Sequence, residues 1–416
     1  MKYRLSTNQL SDSHHVVLDG SKSISNRLLI LQQVSNHPFQ ISNLSNSDDS
    51  VLMQHCLSEF KKTNRLNVQN AGTVARFITA FLSTQHGEWT LACAEPMKKR
   101  PIKILVDVLE SLGAEIKYLD QHGFLPLHII GKTLESKPVK IDAAVSSQYI
   151  SALMMIAPIL ENGLQIHLVG EVASRPYLEI TMACMRSCGF SCSFENNIIS
   201  VEPSQPNTPA HIIFNESDWS AAAFYYSLVA ISNINSISLS HLLSPEKSNQ
   251  GDSKVASYFD YLGVKTTVSD KTIRIEKKGF TTPRASFDFY NEPDMVPAFA
   301  LTSAALGYET ELSGVQNLVI KESNRLVAMQ TELKKLGATF QAIDKNTWEI
   351  SGGIDHGLIQ KTTIDTYHDH RIAMAFGSLA FVENGLTINN PEVVSKSYAD
   401  YWNHMETLGL HIQETA

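Results

Sequence analysis

The chain has little cysteine, no excess of positive charge and no apolar run of membrane length. Its five cysteines are an odd number scattered over 416 residues, a usage that suits a reducing compartment. Its 34 Lys and Arg are outnumbered by 42 Asp and Glu, giving a formal charge of −8. That balance argues against nucleic acid or an anionic membrane as the main partner, since both demand a basic face. It does not forbid an anionic ligand, because a local cluster of cations decides what a cleft attracts. The most apolar stretch, Ala152 to Leu160, falls far short of the roughly 20 residues needed to span a bilayer. Met1-Lys2-Tyr3-Arg4 runs straight into an extended pattern with no apolar signal region. These features point to a cytoplasmic protein, and nothing low-complexity interrupts it.

With 43% apolar and 18% charged residues the chain reads as a globule. It is too long for one ordinary core, so two domains are expected. A repeat is visible. Helices rich in small residues open at Gly20-Ser21-Lys22, Asn70-Ala71-Gly72-Thr73, Ser146-Ser147-Gln148, Asp218-Trp219-Ser220, Pro293-Asp294 and Asp369-His370-Arg371, most of them about 75 residues apart. Between them, second helices end at Leu112-Gly113, Cys188-Gly189, Leu262-Gly263, Leu336-Gly337 and Leu408-Gly409, where glycine fits the left-handed closing position. Alternating strand residues follow. Each repeat therefore reads as βαβαββ, and a fixed period of this kind sets the fold. The clearest second half runs from Thr310–Leu312 through a helix Glu322–Leu336 to a hairpin. The first repeat is shortened after Lys61-Lys62-Thr63-Asn64, with no closing glycine. The expected architecture is α/β (α+β): two similar domains of six such repeats. Residues 20–215 form one domain; residues 1–19 and 216–416 form the other. The amino-terminal strand, Lys2 to Val17, would cross back to the second half.

Helix N-termini collect anions, and several of these openings carry cations. In Gly20-Ser21-Lys22-Ser23-Ile24-Ser25-Asn26-Arg27, Ser23 and Arg27 share a helical face and Lys22 sits at the mouth. The set suits a phosphate or carboxylate but lacks the Walker pattern; an ordinary capped helix fits it equally well. Lys98-Lys99-Arg100-Pro101-Ile102 puts three cations ahead of a helix starting at the proline, which a solvated charge run also explains. In Lys321-Glu322-Ser323-Asn324-Arg325 the two cations and the carboxylate meet at one helix opening, a mixture able to hold an anion and move a proton. Asp294 serves equally as a plain N-cap. His368 and His370 have no matching Cys/His set, so no metal is expected. Cys184, Cys188 and Cys192 read as core packing.

In this order and register, Gly20-Ser21-Lys22-Ser23-Ile24-Ser25-Asn26-Arg27, Asn70-Ala71-Gly72-Thr73, Lys98-Lys99-Arg100-Pro101-Ile102, Ser146-Ser147-Gln148, Lys321-Glu322-Ser323-Asn324-Arg325 and Asp369-His370-Arg371 resemble the enolpyruvyl transferases of the 5-enolpyruvylshikimate-3-phosphate (EPSP) synthase family over essentially the whole chain. The resemblance implies two domains of three βαβαββ units, an inside-out α/β barrel-like form with the active site in the cleft between the domains. It implies transfer of the enolpyruvyl group of phosphoenolpyruvate to the 5-hydroxyl of shikimate 3-phosphate, without metal or organic cofactor. The reaction leads to chorismate and the aromatic amino acids, and glyphosate inhibits it. By the same resemblance Asp294, Glu322, Lys321 and Lys22 are catalytic. Shikimate 3-phosphate would meet Lys22, Ser23, Arg27, Ser146, Ser147, Gln148, Ser174, Tyr177, Asp294, Asn317 and Lys321. Ser174 and Tyr177 come from Ser174-Arg175-Pro176-Tyr177. Phosphoenolpyruvate would meet Lys22, Asn70, Gly72, Arg100, Gln148, Arg325, His370, Arg371 and Lys396, the last in Ser395-Lys396-Ser397-Tyr398. The protein is expected to be a monomer whose partners are these two anions, with no nucleic acid or membrane.

The chain departs from the family pattern at Asn324, where aspartate is usual, and at Asp19, where proline is common before the glycine. The sister enzyme acting on a UDP-linked N-acetylglucosamine usually carries a cysteine just before its Arg-Pro. Glu95–Lys99 has none, and Cys93 falls earlier. A non-catalytic anion-binding paralogue is disfavoured by the joint presence of Asp294, Lys321 and Glu322.

Overall fold

A computed structural model describes residues 1–7, 13–35, 39–143, 146–172, 174–203, 211–279 and 284–415. One βαβαββ module shows how each repeat is built. Strand Arg65–Asn67 leads through helix Gly72–Ser83 to strand Gly87–Ala92, and then through helix Lys103–Ser111 to the hairpin strands Glu115–Tyr118 and Leu127–Gly131. The first two strands pair in parallel, and the last strand pairs antiparallel with both the second and the third. The first helix of a module makes the parallel crossover that two neighbouring parallel strands require. The same strand order recurs in the modules beginning at Val139 and Arg284. Among the described residues the strands form five four-stranded sheets and one two-stranded sheet.

The two-stranded sheet belongs to the shortened repeat. Gln40–Ser42 pairs in parallel with Ile212–Phe214, and helix Asp48–Glu59 leads directly to the next module without a hairpin. The amino-terminal segment corrects the single strand Lys2 to Val17. It makes two strands in two different sheets. Lys2–Thr7 lies between Leu386–Asn389 and Leu410–Thr415, antiparallel to both, as the last strand of the sixth repeat. Ser13–Val17 pairs in parallel with Ser236–Ser240 as the first strand of the fourth. The sequence conceals this because a strand's partner is chosen by the whole fold and its own alternation is the same in either case.

The chain divides into two units, Met1–Asp19 with Glu216–Ala416 and Gly20–Asn215, each with its own apolar cluster. In the second unit the three crossover helices Lys22–Val34, Gly72–Ser83 and Ser147–Ile156 pack on one another. In the first unit Trp219–Ile231, Val296–Ala305 and His370–Gly377 do the same. Trp219–Ile231 and Val296–Ala305 are apolar nearly all round, as a helix enclosed on every side must be. Hydroxyls on the crossover helices are returned to the preceding turn: Thr79 Oγ1 donates to Ala75 O at 2.7 Å and Thr302 Oγ1 to Ala298 O at 2.7 Å. The closing glycines are left-handed, with φ of +89° at Gly337 and +104° at Gly409.

Two helix starts differ from the sequence reading. The helix read as Glu322–Leu336 begins at Arg325, because the Asn324 side chain accepts the Val327 amide and ends the helix there. The helix placed at Pro101 begins at Lys103, after a short 3-10 turn over Glu95–Lys99. Leu5 is fully buried in the first unit's core. Leu5→Ala should lower unfolding free energy by about 2–5 kcal/mol in urea titration; a loss below about 0.5 kcal/mol would mean that the first strand does not close the sixth repeat.

Candidate functional site

The described site residues fall in both units, at helix openings and in the turns beside them. In the first unit the turn Pro293–Met295 precedes helix Val296–Ala305 and presents Asp294. Its carboxylate accepts from three cations: Arg325 Nη1 at 2.7 Å and Lys321 Nζ at 3.4 Å on Oδ1, and Arg371 Nη2 at 3.0 Å on Oδ2. Arg371 Nη1 also donates to Asp294 O at 3.2 Å. Arg325 is 1% exposed and ties in two further carboxylates. Its Nη2 meets Glu322 Oε2 at 2.8 Å and its Nε meets Asp369 Oδ2 at 2.8 Å. Lys396 Nζ lies 3.4 Å from Glu322 Oε1.

Burial alone would raise the pKa of Asp294, but Arg371, Lys321 and Arg325 overcome it and hold the carboxyl well below its usual range. Burial would likewise lower Arg325; Asp369, Asp294 and Glu322 reverse the sign and fix its charge. Asp369 caps the helix His370–Gly377 through the Arg371 amide at 3.0 Å and accepts Ser323 Oγ at 3.0 Å. His370, 1% exposed, follows it. Lys321 and Arg325 do meet, but around Asp294 rather than as neighbours on one helix. Asn317 lies on the turn Gln316–Ile320 ahead of Lys321, outside these ion pairs.

In the second unit the cations are held differently. Arg27 is 2% exposed and donates to neutral oxygens: Thr181 Oγ1 at 2.7 Å, Ser23 O at 2.8 Å, Tyr177 O at 3.2 Å and Ser151 Oγ at 3.3 Å. Burial lowers its pKa to about 10. Ser23, Arg27 and Tyr177 are thus brought together, with Ser174 at the start of helix Arg175–Ser187. Lys22 Nζ pairs with buried Asp49 at 3.4 Å. Gly72 opens its helix directly against Arg100: a Cβ built there would lie 2.7 Å from Arg100 Nη1. Asn70 precedes it in the turn. Gln148 Nε2 donates to Thr73 Oγ1 at 3.1 Å and its amide to Ser146 Oγ at 3.3 Å, which joins the second and third openings; Ser147 is buried beside them.

Sequence reasoning gave no role to Arg76 or Asp49, and it read Asp369 only as a helix opening, the cap it proves to be. Arg76 donates to Gly72 O at 3.0 Å and to Pro101 O at 2.9 Å, which ties the Gly72 opening to the residue that follows Arg100. Its place four residues after Gly72 on an apolar helix was the available signal. Asp49 opens its helix like any N-cap neighbour, and only the fold pairs it with Lys22.

The fold is one of repeated βαβαββ modules, and its candidate site combines a buried cluster of cations and carboxylates with further cations at helix openings. The family model "EPSP synthase (3-phosphoshikimate 1-carboxyvinyltransferase)" matches residues 59–405. The 3-phosphoshikimate 1-carboxyvinyltransferase of Bacteroides fragilis strain YCH46 is 42% identical, covering 96% of each chain. The enzyme of that name from Photorhabdus laumondii subsp. laumondii is 33% identical over 94% of this chain and 95% of its own. The solved EPSP synthase of Acinetobacter baumannii superposes with a TM-score of 0.79 over 99% of this chain and all of that one, at 19% identity; it shares the fold. The chain belongs to the EPSP synthase family.

Among the described residues no helix is long and apolar enough to cross a membrane. Cys184 and Cys188 are buried, and burial pushes the Cys188 thiol up. The Arg325 hub generates a stability prediction. Arg325→Met leaves Asp369, wholly buried, without its principal cation, so unfolding free energy should fall by about 3–5 kcal/mol. An unchanged urea midpoint would show that the three carboxylates do not depend on it.

Proposed function

We propose that this chain performs the reaction of its family through the residues just described. It transfers the enolpyruvyl group of phosphoenolpyruvate to the 5-hydroxyl of shikimate 3-phosphate and releases phosphate, a step of the shikimate pathway toward the aromatic amino acids. The observation that carries the assignment of roles is the meeting of Asp294, Lys321, Glu322, Arg325, Arg371 and Lys396 at one set of helix openings.

Asp294 takes the proton of the attacking hydroxyl as its oxygen bonds to C2 of phosphoenolpyruvate. Glu322, with Lys321 beside it, delivers a proton to C3, and the Lys396 ammonium steadies the carboxylate this leaves. The tetrahedral intermediate then loses phosphate as the Glu322 carboxylate takes a proton back from C3. Each positioned acid or base supplies about 10²–10⁴-fold, and the fixed cations stabilise the charge that develops on the leaving phosphate. A carboxylate gripped by three cations is a weak base. Substrate anions that draw Arg371, Arg325 and Lys321 toward themselves raise its basicity at the moment it is used.

Shikimate 3-phosphate is assigned to Lys22, Ser23, Arg27, Ser146, Ser147, Gln148, Ser174, Tyr177, Asp294, Asn317 and Lys321. Phosphoenolpyruvate is assigned to Lys22, Asn70, Gly72, Arg100, Gln148, Arg325, His370, Arg371 and Lys396. We assign the protein to the cytoplasm as a monomer; the small, odd number of cysteines supports the compartment.

Phosphate release measured with both substrates, and with each omitted in turn, tests the reaction; release that ignores either omission would overturn it. Asp294→Ala and Glu322→Gln should each lower kcat by roughly a hundredfold or more while ligand binding survives, and near-normal turnover removes the residue from its role. Gly72→Ala should push Arg100 aside and raise KM for phosphoenolpyruvate by roughly tenfold or more, with a much smaller change in KM for shikimate 3-phosphate; equal effects on both would detach Gly72 from that subsite.

A further inference from the structure

The motif Ser395-Lys396-Ser397-Tyr398 ends on a residue that the assigned mechanism does not use. Tyr398 is 3% exposed. Its hydroxyl lies 2.6 Å from the Tyr225 hydroxyl on one side and 2.6 Å from His404 Nδ1 on the other. Tyr225 is wholly buried on the crossover helix Trp219–Ile231, and His404 is partly buried on the short helix Tyr401–Thr407. Burial pushes both phenols up, so each keeps its proton as a donor. Tyr225 donating to Tyr398, and Tyr398 to Nδ1, gives both protons an acceptor.

These bonds complete a frame around the turn Pro391–Lys396, from which Lys396 reaches Glu322 Oε1 at 3.4 Å. The Tyr398 amide donates to Val394 O at 2.9 Å and the Ser397 amide to the same oxygen at 3.1 Å, so the tyrosine is tied to the turn through its own backbone. At the turn's other end Trp402 Nε1 donates to Pro391 O at 2.8 Å. Trp402, like His404, belongs to helix Tyr401–Thr407. That helix is fastened to the one bearing Arg371, because the Tyr401 hydroxyl donates to Met374 O at 2.8 Å. The Lys396 turn packs against the same Arg371 helix. Ring contacts would keep the region filled without the hydroxyl: Tyr398 meets Tyr401 edge-on, 5.8 Å between centroids, and a phenylalanine would do so equally. What the hydroxyl adds is a directional link to two elements at once.

We propose that Tyr398 is a positioning residue of the transfer reaction: held between Tyr225 and His404, it sets where the Lys396 ammonium stands relative to Glu322 and to phosphoenolpyruvate. It acts through Lys396 rather than on the substrate. Without the two hydrogen bonds the turn keeps its fold but Lys396 samples more positions, and that freedom is lost again each time the ligand is gripped. The proposal rests on the assignment of Lys396 to phosphoenolpyruvate.

Tyr398→Phe keeps the ring and loses both hydrogen bonds. KM for phosphoenolpyruvate should rise roughly fivefold or more, with KM for shikimate 3-phosphate within about twofold of wild type. The same substitution in a Lys396→Met background should add nothing further to KM for phosphoenolpyruvate, because the residue through which it acts is gone. A merely structural role would move both KM values together or make the two substitutions additive, and either result overturns the proposal. Should Tyr398→Phe fail to fold, His404 reads the same link. His404→Leu should raise KM for phosphoenolpyruvate, and His404→Asn, whose amide oxygen takes the place of Nδ1, should restore it; equal values for the two overturn the proposal. Lys396→Met with a wild-type KM for phosphoenolpyruvate would be a different failure, removing Lys396 from that ligand and taking the proposal with it.

Discussion

One guanidinium organises the first unit. Arg325 reaches Asp294, Glu322 and Asp369, carboxylates drawn from a turn, from the segment just before its own helix and from the cap of another helix. Each would be costly to bury alone, and so would the arginine. Together they satisfy one another in a fixed fork geometry that a lysine's point charge would not reproduce. Because Asp369 also caps the helix carrying Arg371, the same contact sets where that second arginine stands. Orientation of the reacting groups is therefore a by-product of charge burial.

The second unit reaches a similar end by other means. Arg27 is held by carbonyl and hydroxyl oxygens contributed by three helices, and its partners among the described residues include no carboxylate. Dipoles orient the guanidinium without cancelling its charge, which leaves a field suited to an anion. The contrast divides the labour of the proposed reaction: carboxylates able to move protons are concentrated in the first unit, while the second chiefly holds negative groups in place. Lys22 with Asp49 is the exception, a cation whose position is set by a buried counter-charge.

How far the sequence revealed this follows from the range of the interactions involved. The module order, the closing glycines and the missing hairpin after Phe60 were legible because each is written in consecutive residues. So were the helix openings that carry Lys22, Gly72, Asp294 and Arg371. The start of the helix at Arg325 was misjudged by three residues, since Asn324 as a cap competes locally with helix continuation. The amino-terminal segment was read as one strand because its two pairings lie more than 200 residues away in separate sheets. Arg76 and Asp49 stayed hidden for a related reason. An isolated charged residue takes its meaning from its tertiary partner, and no spacing rule announces that.

The loop that delivers Asp369 shows what precision requires. Tyr367 and His368 both adopt left-handed backbone angles, φ +54° and +55°, unfavourable for residues with a side chain. The strain is tolerated because Tyr367 donates to the wholly buried Glu332 at 2.6 Å, and Glu332 also accepts the Asp365 amide at 3.2 Å and pairs with Lys335 at 2.7 Å. Glu332 lies on the helix that begins with Arg325. The same helix thus grips the loop at one end and Asp369 at the other, so the distance between the arginine and its carboxylates is set by a rigid rod. A mobile loop could present the same residues, but it would have to give up entropy each time a substrate arrived. Here that ordering is completed during folding.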